Sequence, residues 1–139
     1  MTGPDTPAPT GSLQEAMARH QAGDLPAAIG LYRRHLEQRP DDLDAWCLLA
    51  SAEGQAGHHA GAGEAYRRAV GIAPGHAPAH AGLGTSCLQQ GDFAAAADHL
   101  LRAVELDPEQ VDARLQLAMV LRRQARLHEA TAELEEVMR

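Results

Sequence analysis

Apolar side chains recur along this chain in steps of three and four residues, and glycine and proline interrupt the steps at regular intervals. Trp46, Leu49 and Ala50 form one such set, and Leu117, Ala118 and Leu121 another. Spacing of this kind lays an apolar stripe along one face of an α-helix. No stretch alternates strictly enough to argue for a strand. The pattern predicts helices over residues 12–22, 25–38, 43–56, 59–72, 78–90, 93–106, 111–124 and 127–138. The breaks between them are of two kinds. Gly23-Asp24 and Gly91-Asp92 each supply a left-handed C-terminal residue followed by an N-cap. Pro40, Pro74 and Pro108 stop the preceding helix, because proline disfavours helical backbone in the residue before it. Residues 1–11, rich in Pro, Thr and Gly, read as a disordered leader, and Ser12-Leu13-Gln14-Glu15 as a capping box that opens the first helix.

The breaks also keep time. Pro40, Pro74 and Pro108 lie 34 residues apart, and so do Gly23, Gly57 and Gly91. Ala28, Ala62, Ala96 and Ala130 hold the same spacing, as do Tyr32, Tyr66, Leu100 and Leu134. A fixed period of this length marks stacked supersecondary units. Each unit is too small to bury its own apolar face, so neighbours must share one core. The expected architecture is all-α: a solenoid of four helical hairpins, with repeats at about 9–42, 43–76, 77–110 and 111–139. The alanine column falls in the second helix of each hairpin, where a small side chain lets two helices approach to ~8–10 Å. Gly61 and Gly63 lie inside the second helix of repeat two. Each costs roughly 1 kcal/mol relative to alanine, which makes this helix the weakest of its kind.

Composition narrows the function. The formal charge is −7, and residues 77–110 carry five acids against one arginine. A chain this acidic lacks the pull on phosphate that nucleic-acid binding needs. With aromatics at only 3%, it has no base-stacking platform either. Nucleic acid is therefore excluded as a partner. There is no Lys and no Asn, so a phosphate-binding P-loop and lysine Schiff-base chemistry are both absent. His128-Glu129 begins like a zinc-protease motif, but Ala132 stands where the second His must be. His58 and His59 are adjacent at a turn and point to different sides. Pro78 places a helix boundary between His76 and His80. No third metal ligand stands at a recognised spacing, so neither metal nor cofactor is expected, nor catalysis by this chain. Cys47 and Cys87 make no disulfide framework. No signal peptide and no apolar run of about 20 residues is evident, which predicts a cytoplasmic chain without a membrane partner.

The residues in register resemble the tetratricopeptide repeat family. Residues 43–76 fit its pattern best, with Trp46, Leu49, Ala50, Gly57, Ala62, Tyr66, Ala69 and Pro74. Two departures stand out: Glu53 occupies a position where the family prefers Tyr, and His80 replaces the Trp of repeat three. The resemblance implies a right-handed superhelix whose first helices line a concave groove for a partner peptide or helix. Carried over by register, repeat one contributes Leu13, Gln14, Met17 and Gln21 to that groove, and repeat two contributes Asp44, Cys47, Leu48, Ser51 and Gln55. Repeat three adds Pro78, Ala81, Gly82, Thr85 and Gln89. Repeat four adds Asp112, Leu115, Gln116, Met119, Arg122 and Arg123. Gln21, Gln55, Gln89 and Arg123 form a polar row able to pair with an extended backbone. The family's carboxylate clamp, which grips acidic chaperone tails through Lys and Asn, is ruled out. Leu13, Met17, Leu48, Pro78 and Gly82 hold its positions. The leading expectation is a non-catalytic scaffold for a protein or peptide partner. The alternatives are a recruiting domain of a larger enzyme, such as a glycosyl- or sulfotransferase, and a homo-oligomer formed through an uncapped C-terminal end.

Overall fold

Three glycines in the left-handed region close the hairpins. The computed structural model describes residues 8–124, which form α1 (Ala8–Gln21), α2 (Leu25–Gln38), α3 (Leu43–Gln55), α4 (His59–Ile72), α5 (Ala77–Gln89), α6 (Phe93–Leu106) and α7 (Val111–Gln124). Gly23, Gly57 and Gly91 have φ of 86°, 85° and 81°. After each, the next backbone N–H donates to the carbonyl five residues back: Asp24 to Arg19 at 2.9 Å, His58 to Glu53 at 2.8 Å and Asp92 to Cys87 at 2.9 Å. This is the Schellman geometry that satisfies a helix's last carbonyls. The carboxylates of Asp24, Asp42 and Asp92 then accept from the backbone N–H of Ala27, Ala45 and Ala95, capping α2, α3 and α6.

Between repeats the chain turns at proline, and one contact recurs there with three different side chains. Trp46 Nε1–H donates to the Pro40 carbonyl at 2.7 Å. His80 Nε2–H donates to the Pro74 carbonyl at 2.8 Å. Arg114 Nη1 donates to the Pro108 carbonyl at 3.4 Å. In each case the donor sits six residues beyond the acceptor, at the start of the next first helix. The substitution of His80 for Trp thus keeps the donor and gives up ring area.

The helices pack as hairpins, α1 on α2, α3 on α4 and α5 on α6, and each second helix packs on the first helix of the next repeat. The described residues therefore hold three whole hairpins and the first helix of a fourth, an all-α solenoid without a strand. Ala28, Ala62 and Ala96 are at most 1% exposed, as their role at the closest helix approach requires. One buried cluster lies in repeats one and two around Tyr32, Leu36 and Leu49, and a second in repeats three and four around Leu83, Leu100 and Val120. Tyr66 packs against both and joins them into one core.

The helix bounds agree with the sequence pattern to within a residue for all but α1, which begins at Ala8 rather than at Ser12. Residues 8–11, read as leader, belong to α1, and Ser12 is an interior residue rather than its N-cap. The reason is Pro9: in a first turn its fixed φ suits the helix and its missing N–H costs nothing. The helix expected over 127–138 lies outside the described residues, as do residues 1–7 of the leader.

Glu53 has a physical account in three dimensions. Its side chain is 4% exposed, and its carboxylate accepts from Arg33 Nη2 and pairs with His58 Nδ1 at 2.9 Å. A Cβ built on Gly61 would stand 3.2 Å from that carboxylate. The glycine that weakens α4 therefore makes room for a paired charge where the family places an aromatic ring.

Two expectations follow. Gly30 faces open space within its helix, whereas a Cβ at Gly84 would lie 2.6 Å from Leu100 Cγ. Gly30→Ala should stabilise the fold by up to about 1 kcal/mol in urea denaturation. Gly84→Ala should destabilise it, because overpacking of about 1–3 kcal/mol exceeds the gain in propensity. His99 has a pKa lowered from 6.5 by burial first, then by the charges of His80 and Arg67, with Asp98 and Asp92 opposing. Its folded form resists protonation, so its contribution is complete above its unfolded value and declines as pH falls through it. His99→Leu should reduce the loss of stability measured between about pH 7.5 and pH 5.

Candidate binding groove

The first helices of successive repeats touch one another directly, α1 with α3, α3 with α5 and α5 with α7. Closer packing along that row puts it on the inner side of the curve, where the residues chosen by register fall. Two cavities open there. One, of about 290 Å³, lies between α3 and α5 and is lined by Ser51, Gln55, Thr85 and Gln89 together with His59 and Tyr66. The other, of about 480 Å³, lies between α5 and the start of α7 and takes in Ala81, Thr85, Asp112 and Gln116.

Tyr66 stands between the two cavities and lines both. It comes from a second helix and reaches the groove across Gly82, where a Cβ would meet the ring at 2.2 Å. Only glycine at 82 leaves that passage open. Burial, and after it the neighbouring Cys47, pushes the Tyr66 phenol above its ordinary pKa, so it stays a neutral donor. The sequence pattern names Tyr66 only as one of the large side chains in register and does not select it for the groove. The signal that could have revealed it was the glycine at a groove position beside an aromatic of the preceding repeat.

Side chains tie neighbouring first helices together across the groove floor. His20 Nε2 lies 3.0 Å from Gln55 Oε1, and His20 Nδ1 lies 2.9 Å from the Tyr32 hydroxyl. An amide oxygen only accepts, so Nε2 carries the proton, and in the neutral ring Nδ1 accepts from Tyr32. Gln55 Nε2 in turn donates to Ser51 Oγ at 3.4 Å. Thr85 Oγ1 lies 3.0 Å from the Ala81 carbonyl oxygen and 2.6 Å from Gln116 Oε1. Within the polar row Gln21, Gln55 and Gln89 are all exposed, and Gln55 is also held by its own chain. Arg123 lays its guanidinium over the Phe93 ring at 5.4 Å, a cation–π contact.

The remaining groove residues are spread more widely. Leu13 and Leu48 pack against the first core cluster, and Met17 is 38% exposed on α1. Asp44 is exposed in the first turn of α3. Leu115, Met119 and Arg122 lie around a separate depression on α7. His20, His59, Glu109, Gln110 and Val111 also face the groove or its cavities, and the register alone did not select them.

Among the described residues no group of three or more His, Cys, Asp or Glu could hold a metal ion. No described helix is long and apolar enough to cross a membrane. Cys47 is half-buried, and burial followed by the charge of Asp44 pushes its thiol up to about 11. Its labelling by iodoacetamide should therefore keep accelerating beyond about pH 10, where an ordinary thiol has levelled off, as a stopped-time mass-spectrometric series would record.

Comparison with known proteins places this architecture. Models of the tetratricopeptide repeat match residues 13–77 and 82–138, and a second such model matches residues 55–105. No curated protein matches the sequence significantly. Among solved structures, the chain is similar to MamA protein at 24% identity and a TM-score of 0.81, covering 86% of this chain and 65% of that one. It is similar to the first such domain of Spaghetti (RPAP3) bound to the HSP90 peptide SRMEEVD, at 19% identity and a TM-score of 0.82, over 87% and 96% of the two chains. The O-GlcNAc transferase of Thermobaculum terrenum is 30% identical with a TM-score of 0.74, over 87% of this chain but 23% of that one. The chain thus spans about two thirds of the MamA chain and about a quarter of the transferase. With matched segments running through all four repeats, the chain belongs to the tetratricopeptide repeat family.

Proposed function

We propose that this chain is a non-catalytic interaction module that holds a segment of a partner protein in its concave groove. The observation that carries the reading is the pair of adjoining cavities on the inner helices, divided by a phenol that reaches them across Gly82. Cavities of about 300–1,000 Å³ with a few convergent polar groups are the usual form of a ligand site. The groove offers donors and acceptors of both kinds in Thr85, Gln89 and Gln116, with apolar surface between them, which suits an extended peptide. The related Spaghetti domain holds a peptide. Nucleic acid does not suit a chain of net charge −7, and the module is read as cytoplasmic and free of cofactor.

A second reading is favoured by the likeness to the O-GlcNAc transferase. In it the same groove recruits a protein substrate for an enzyme of which this chain is one part. Both readings use the same inner surface and differ only in what the chain is joined to. Self-association through the C-terminal end remains a proposal of its own, answered by sedimentation.

A photo-crosslinking residue placed at Gln89, on the inner face, should capture a discrete partner. The same residue at Arg34, exposed on α2, should not. Equal capture from both positions would remove the groove reading.

A further inference from the structure

The larger groove cavity has a charge of its own. Among the described residues, Glu109 and Asp112 are the only charged side chains that line it, and no arginine does. Gln110, also in the lining, has a carboxamide oxygen that is shielded from solvent and accepts from no group among the described residues. Glu109 is held in the inter-repeat turn, where its backbone N–H donates to Asp107 Oδ1 at 3.1 Å. Asp112 sits in the first turn of α7, where the helix dipole favours a negative charge. Tyr66 forms one wall, and Ala81, Val111 and Ala113 supply apolar surface between the polar groups.

We propose that this cavity is the specificity subsite of the groove and that it takes an arginine or lysine side chain of the partner. The proposal rests on the reading of the concave face as a peptide groove and names the chemistry that this groove selects. Each part of the cavity finds its complement in such a side chain. The two carboxylates meet the cation, and the unpaired Gln110 oxygen gains a donor. Tyr66 in the wall puts an aromatic ring beside the charge, and the small apolar residues cover the methylene stem. A carboxylate in the same place would confront two like charges. A purely apolar side chain would take two carboxylates out of water and leave the shielded Gln110 oxygen still without a donor. The preference is opposite in sign to the acidic peptide SRMEEVD held by the Spaghetti domain. The chain also contains none of the Lys and Asn that a carboxylate clamp would use.

The test is an amide-detected NMR titration of the whole chain with acetyl-Ala-Ala-X-Ala-Ala-amide, where X is arginine, norleucine or glutamate. The arginine peptide should shift the amides of Gly82, Thr85, Val111 and Ala113 and bind at least about fivefold more tightly than the other two. Its affinity should fall as salt is added, since both carboxylates are exposed. Glu109→Gln combined with Asp112→Asn should weaken the arginine peptide by about three- to tenfold and leave the norleucine peptide unchanged. An unaltered helix signal in circular dichroism would show that the variant is folded. Glutamate or norleucine binding as tightly as arginine at these residues would overturn the proposal, as would an unchanged affinity in the double variant. If no peptide moves any inner-face amide, the groove reading falls and this proposal with it. Shifts at the inner face that do not depend on X leave the groove standing and remove only the subsite.

Discussion

A side-chain donor on each inter-repeat proline carbonyl is the contact on which the rest of this solenoid depends. Proline ends the preceding second helix and leaves a carbonyl at the turn that no intrahelical N–H can reach. The first side chain able to return to it lies six residues on, in the opening turn of the next helix. Trp46, His80 and Arg114 each do so. The contact ties the opening turn of the next first helix to the end of the preceding hairpin. Because the turn needs a donor and not a particular shape, an indole, an imidazole and a guanidinium are interchangeable there. This accounts for a repeat that has lost its tryptophan without losing its place in the stack.

The core tolerates its low aromatic content for a related reason. Alanine at the helix crossings brings backbones close, so few large rings are needed to fill the space between them. Where a ring is present, it carries more than its share. Tyr66 alone touches both buried clusters and also reaches the groove. Any change at Tyr66 or Gly82 therefore acts on the packing of repeats two and three and on the candidate groove together. In repeat two the space left to an aromatic elsewhere in the family holds the Glu53 carboxylate, which pairs with Arg33 and shares a hydrogen bond with His58. A buried charge is tolerable only when it is paired and its lone pairs are used. Gly61 is the opening that admits the carboxylate.

Much of this was legible in the order of residues. The positions of Gly23, Gly57 and Gly91 and of the three prolines gave six helices to within a residue, because those breaks act locally on the backbone. Pro9 was misread for the same local reason: proline ends a helix or begins one, and only the residues after it decide which. The groove was legible as a set of positions, but its contents were not. That Gln55 is held by His20, 35 residues away, or Thr85 by Gln116, depends on which side chains the stacking brings together, and no period encodes it. Glu53 stood out in the sequence as an exception. Its explanation required Arg33 from the previous hairpin, a contact across 20 residues.

The three proline joints are not equally tight. The donor distances lengthen along the chain, from 2.7 Å at Pro40 and 2.8 Å at Pro74 to 3.4 Å at Pro108. The longest contact lies in the turn before α7, which also bounds the larger inner cavity through Glu109 and Gln110. The turn that carries the longest of the three contacts thus also supplies part of the cavity's negative charge, so a change at Pro108 acts on the joint and on the cavity together.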